Sequence, residues 1–141
     1  MKILFFSSAL LLLSLFSSAQ LHAQHTEGNI QQNYVVLTKK IPQLQPIIMT
    51  AEALKVEDSK AFGDFQVIIC GKEIGDITDP EKINGFIEKA TKAGVQLVAC
   101  GFSLNKFQVD KTKIPEEIEV VENGILHNFQ LQKKGYKSIS L

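Results

Sequence analysis

Three short runs in this chain are apolar almost without interruption, and they recur at about one βαβ interval: Tyr34–Thr38 (YVVLT), Phe65–Cys70 (FQVIIC) and Val95–Cys100 (VQLVAC). A strand with one wet face alternates apolar and polar residues. A strand that is apolar throughout is covered on both faces, as in parallel sheets sandwiched between helices. The segments between the runs have helical periodicity. Leu44–Lys55 carries Ile47, Ile48, Ala51 and Leu54 on one stripe, with Pro46 in its first turn. Asp79-Pro80-Glu81 starts a second helix with an N-cap, a proline at the first position and an acid in the first turn. Ile83, Phe86, Ile87 and Ala90 continue it, Lys89 and Lys92 lie near its end, and Gly94 suits the position just past it.

Downstream, Phe102–Phe107 reads as a short helix and Ile118–Val121 as a fourth strand. Gly124–Lys134 reads as a helix with Ile125, Leu126, Phe129 and Gln130 on or near one face, stopped by Gly135. Tyr136–Leu141 reads as a fifth strand. Right-handed crossovers between such strands give a three-layer α/β/α domain. We expect one domain over residues 34–141, since a chain of 141 residues leaves no room for a second core.

The amino-terminal stretch reads as an address. Lys2 precedes an apolar run from Ile3 to Phe16, the length of a signal-peptide core and short for a bilayer span. Small residues then offer cleavage after Ala23, with Ala19 as the other site. Residues 1–23 are expected to be a removed signal peptide and residues 24–33 a flexible polar leader. The mature protein would be periplasmic or secreted, with no membrane association after cleavage. It would hold 14 Lys against 15 acidic residues, because Lys2 is lost from the 15 Lys of the whole chain. The chain has no Arg. Neutral charge without Arg argues against nucleic-acid binding, which uses a basic excess and Arg forks. Gly71-Lys72 lacks the flanking residues of a phosphate loop. His22 and His25 would be separated by the preferred cleavage, so no metal is expected there.

Chemistry concentrates at two matching corners. Cys70-Gly71 and Cys100-Gly101 each follow an apolar strand, and the two cysteines are 30 residues apart. The carboxyl ends of parallel strands are where ligands bind in open α/β sheets. After Cys100, the first amides of the Phe102–Phe107 helix would face the sulfur and lower its pKa, and Ser103 could add a hydrogen bond. Lys72 and Lys106 stand near the corners but read first as solvated charges, and His127 reads as a surface or interface residue. Three readings of the pair stay open: buried small hydrophobes, a disulfide between neighbouring strand ends, and a reactive thiolate.

Three ordered motifs resemble the DsrE/DsrF-like sulfur-transfer family. They are Ala99-Cys100-Gly101-Phe102-Ser103-Leu104 with acidic Asp110 downstream, then Glu119-Val120-Val121-Glu122-Asn123-Gly124, then Leu131-Gln132-Lys133-Lys134-Gly135-Tyr136. The similarity is strongest after Val95, and the chain looks like the small, exported, single-domain members. The resemblance implies a five-stranded parallel sheet, a trimer or hexamer, and sulfane sulfur carried as a persulfide on Cys100 and passed to a partner protein. It also implies that Gly101 and Ser103 shape the loop and that no cofactor is needed. Many members have a His or another residue at the position of Cys70, and many are cytoplasmic. The donor and acceptor of an exported form would therefore differ. Two other functions remain in view: a thiol–disulfide element built from Cys70 and Cys100, and a binding or assembly subunit without chemistry.

Overall fold

The apolar runs form the middle of a sheet, as their unbroken hydrophobicity requires. A computed structural model describes residues 31–141; the expected signal peptide, both cleavage sites, His22, His25 and most of the polar leader lie outside the described residues. Five strands pair in parallel in the order β4-β3-β2-β1-β5, where β1 is Gln32–Thr38, β2 Phe62–Ile69, β3 Val95–Cys100, β4 Ile118–Val121 and β5 Lys137–Ser140. Helices α1 (Leu44–Asp58), α2 (Pro80–Ala93), α3 (Gly101–Lys106) and α4 (Gly124–Lys133) connect them.

The chain steps from β1 to β4 in one direction, then returns across the sheet to place β5 beside β1. Right-handed crossovers put helices of forward steps on one face and the helix of the return step on the other. The contacts agree. Tyr34 of β1 donates to Asp58 at the end of α1, whereas Gln66, of opposite strand parity, meets His127 of α4. Helix α4 lies across β1, β2, β3 and β5. The architecture is the expected three-layer α/β/α arrangement.

The central strands are buried on both sides; Val35, Val67, Ile68 and Val98 are fully buried. The edges differ. All four residues of β5 are exposed, because Ser and Lys alternate with a lone Ile there. Strand β1 starts at Gln32, two residues before the apolar run and within the stretch read as leader; Asn33 joins it by accepting the Asp64 N–H at 2.8 Å. Strand β2 starts three residues earlier than its apolar run, and a 3₁₀ segment over Lys72–Thr78, unforeseen from periodicity, buries Ile74 and Ile77.

Helices α2 and α4 use their sequences in opposite ways. Helix α2 is capped as expected, with Asp79 accepting the Glu81 N–H at 3.1 Å and Gly94 left-handed at φ 75°, and its apolar stripe is inside. Helix α4 turns Gly124, Asn128 and Leu131 inward and leaves Ile125 and Phe129 each 58% exposed. His127, expected at the surface or an interface, is half-buried; its ring Nε2 shares a hydrogen bond with Gln66 Oε1 at 2.9 Å. No helix among the described residues is long and apolar enough to cross a membrane.

Candidate functional site

Strands β2 and β3 run side by side in register, Ile68 beside Val98 and Ile69 beside Ala99. One residue further on, the same register brings Cys70 beside Cys100 at the carboxyl edge of the sheet. The Cys70 N–H still bonds to Thr38 O of β1 at 2.9 Å. Both side chains share the parity of Gln66 and Ile68, so both point to the α4 side. The loop after β4 then carries the start of α4 over them. Asn123 caps that helix by accepting the N–H groups of Ile125 and Leu126. The Gly124 N–H, left out of the cap, donates to Cys100 Sγ at 3.2 Å.

Close approach requires glycine at two points. A Cβ on Gly124 would lie 2.7 Å from Cys70 Sγ, 2.7 Å from Ile68 Cγ2 and 3.0 Å from Cys100 Cβ. A Cβ on Gly101 would lie 2.8 Å from Val121 O, against the strand end that leads into α4. There Phe102 N–H bonds to Glu122 O at 2.8 Å and ties the β3 corner to that loop. Gly71 serves differently: its φ of 86° turns the chain sharply after Cys70.

Ser103 links the two corners. Its Oγ accepts the Gly71 N–H at 3.0 Å, and its hydroxyl also favours the anionic form of Cys100. Burial is the largest single influence on Cys100 and pushes its thiol up. The Ser103 hydroxyl, the Gly124 N–H, the Ser103 N–H and the Cys70 thiol together outweigh burial and hold Cys100 below the ordinary thiol range. Cys70 goes the other way. Burial, then the Cys100 charge and the S–H···S bond to Cys100, push its pKa up to about 12 against a smaller pull from Lys39. Of the two thiols, Cys100 is therefore the one that gives up its proton first.

The expected helix amides supply only part of this. The Cys100 side chain is not a geometric cap of α3, although the Ser103 N–H of that helix favours the anion. The directly bonded amide comes from Gly124, on the opposite side of the sulfur. Residues 119–124 signalled it only as the Asn-Gly start of a helix; its contact with Cys100 depends on the path of the chain after β4.

A cleft of about 420 Å³ opens above the sulfurs. Cys70 (7% exposed) and Cys100 (3%) lie at its base. Phe102, Phe107 and Ile125 supply apolar walls, and Lys39 and Lys106 supply positive charge. Lys72 is exposed and does not line the cleft, whereas Lys39, which the sequence reading passed over, does. Asp110 stands apart and caps the 3₁₀ turn Lys111–Lys113 through Thr112. Both cysteines are free thiols, and among the described residues no group of three or more His, Cys, Asp or Glu could hold a metal ion.

Such an arrangement can do nucleophilic sulfur chemistry. A stabilised thiolate attacks well and also leaves well, and both properties matter in thiol exchange. No protein-family model matches the chain, and no curated protein matches it. Among solved structures it is similar to MTH1491 of Methanobacterium thermoautotrophicum, described as a protein of unknown function, with a TM-score of 0.66 at 17% identity. The match covers 79% of this chain and 99% of that one. Similarity at that level of identity shows a shared fold, the five-stranded parallel α/β architecture described above.

Proposed function

We propose that this protein is an exported sulfur carrier of the DsrE/DsrF-like type, holding sulfane sulfur as a persulfide on Cys100. The observation that carries the reading is the Cys100 sulfur accepting the Gly124 N–H at the base of an apolar cleft, with its pKa held down. The Cys100 thiolate attacks the outer sulfur of a donor persulfide or polysulfide; a Cys100–sulfur bond forms and the donor leaves as a thiolate or shortened polysulfide. In the second step an acceptor thiolate attacks the outer sulfur and Cys100 leaves as a thiolate, stabilised by the same donors. Apolar walls hold water away from the outer sulfur, and Lys39 and Lys106 attract an anionic donor.

The reading includes removal of residues 1–23, export, and assembly with further copies of this chain into a trimer or hexamer. The outward apolar face of α4, with Ile125, Leu126 and Phe129 exposed, supports assembly. Sedimentation of the mature protein tests it: Phe129→Glu should release monomers, and a monomeric wild type would remove the assembly claim.

The carrier claim is tested by reducing the protein, loading it with inorganic polysulfide and recording intact masses. The wild type and Cys70→Ser should gain one sulfur atom, and Cys100→Ser should gain none. Equal loading of Cys100→Ser would overturn the assignment. The paired strand-end positions of the two free thiols favour a second reading, a dithiol–disulfide element, in which the air-oxidised protein would show no free thiol to an alkylating agent.

A further inference from the structure

The carrier reading leaves Cys70 without a task, yet the fold places it one strand spacing from Cys100, on the same face and under the same glycine. We propose that Cys70 is a resolving thiol, which discharges the Cys100 persulfide as hydrosulfide and closes a Cys70–Cys100 disulfide. The proposal rests on the persulfide reading of Cys100 and adds a fate for the bound sulfur when no acceptor arrives.

The geometry points to it in three ways. Neighbouring strands in register set their Cα atoms about 4.8 Å apart, inside the range of about 4.4–6.8 Å that a disulfide spans. Both side chains leave the same face of the sheet from paired strand ends, so attack needs rotation of side chains and no strand movement. Gly124 leaves the space between them open: a Cβ there would fall 2.7 Å from Cys70 Sγ and 3.0 Å from Cys100 Cβ.

The step balances without an outside reagent. Cys70 Sγ attacks Cys100 Sγ and forms the disulfide bond. The bond from Cys100 Sγ to the outer sulfur breaks, and its electron pair goes to the outer sulfur. The proton of Cys70 leaves with that sulfur as hydrosulfide. The outer sulfur is reduced from sulfane to sulfide, and the two cysteine sulfurs are oxidised to the disulfide.

Loading itself arms the step. In the resting site the Cys100 sulfur beside it raises the Cys70 thiol and helps to keep its proton in place. When Cys100 Sγ is bonded to an outer sulfur, the negative charge moves one atom away and that influence weakens. Cys70 is then freer to ionise, beside a sulfur that has become an electrophile.

The test loads the reduced protein with inorganic polysulfide, removes the excess and follows it without oxygen, by intact mass and by trapping released sulfide. The wild type should fall from one added sulfur to two hydrogens below the reduced mass, with one sulfide per chain. Cys70→Ser and Cys70→Ala should keep the added sulfur and release sulfide at least about tenfold more slowly. A wild type that holds its persulfide as long as the Cys70 variants would overturn the resolving role while leaving the carrier reading intact. Sulfide release without disulfide formation would overturn it equally. If neither the wild type nor the Cys70 variants load sulfur, the carrier reading fails first and this step fails with it.

Discussion

The Cys70-Gly71 and Cys100-Gly101 corners nearly repeat in sequence, and the fold makes them chemical opposites. Both thiols are buried, which alone raises both. Only Cys100 receives compensating donors: a hydroxyl from α3's Ser103, an amide from α4's Gly124 and the thiol of Cys70 itself. Cys70 is followed by a 3₁₀ turn that gives its sulfur no amide, and the Cys100 sulfur beside it raises it further. Reactivity at a strand end thus comes from what the next two crossovers bring to it, more than from the cysteine and glycine.

The largest expected difference between the corners is in alkylation. At pH 8 a thiol with a pKa of about 12 is ionised to about one part in ten thousand, so Cys70 should react about a thousandfold or more slowly than Cys100. Peptide mapping after timed iodoacetamide treatment checks this, and comparable labelling would erase the distinction. Alkaline stability follows. Cys70 stays neutral in the fold up to about 12, while an unfolded thiol ionises near 9.0. Its contribution is fully present below the lower value and is lost as pH rises between the two, at most about 1.4 kcal/mol per pH unit. Tyr34 and Tyr136, also raised to about 12, add to the same slope, so the measurement is the difference between wild type and Cys70→Ala in denaturant unfolding. Cys100, being lowered, has the opposite sign: its contribution is present above the ordinary thiol pKa and declines as pH falls through its folded value.

Gly124→Ala should cost about 1–3 kcal/mol, because the new methyl meets both cysteine side chains and Ile68, and the midpoint for Cys100 alkylation should move up as the amide shifts. Ser103→Ala should cost about 1 kcal/mol, since the Gly71 N–H loses its acceptor, and should also raise the Cys100 midpoint while leaving Cys70 slow. An unchanged midpoint would show that the hydroxyl does not set the asymmetry. The smallest effect belongs to Lys106→Gln: loading by polysulfide should slow about two- to fivefold at low salt, with the difference shrinking as salt rises.

Much of the fold could be read in advance from local chemistry. Val35, Ile68 and Val98 announce central strands because nothing polar interrupts them, and Asp79-Pro80 announces α2 because a cap and a fixed φ suit a helix start. Helix α4 was misleading in its facing. Ile125, Leu126 and Phe129 are its most apolar residues and would ordinarily point to a core, yet they face outward, while Asn128 is buried against Ser138. The helix must place Gly124 over the sulfurs, and at the helical period that fixes which side faces the sheet. The same constraint turns His127 toward Gln66.

The sequence alone determined that the central strands are buried, that the sheet is parallel with helices on both faces, and that two thiols end successive strands, because hydrophobic period and βαβ spacing are local properties. Only the tertiary structure shows which thiol its surroundings make the more acidic. That difference depends on contacts 32 and 24 positions apart along the chain: Gly71 meets Ser103 because β2 pairs with β3, and Gly124 meets Cys100 because β4 hands over to α4 above the sheet edge.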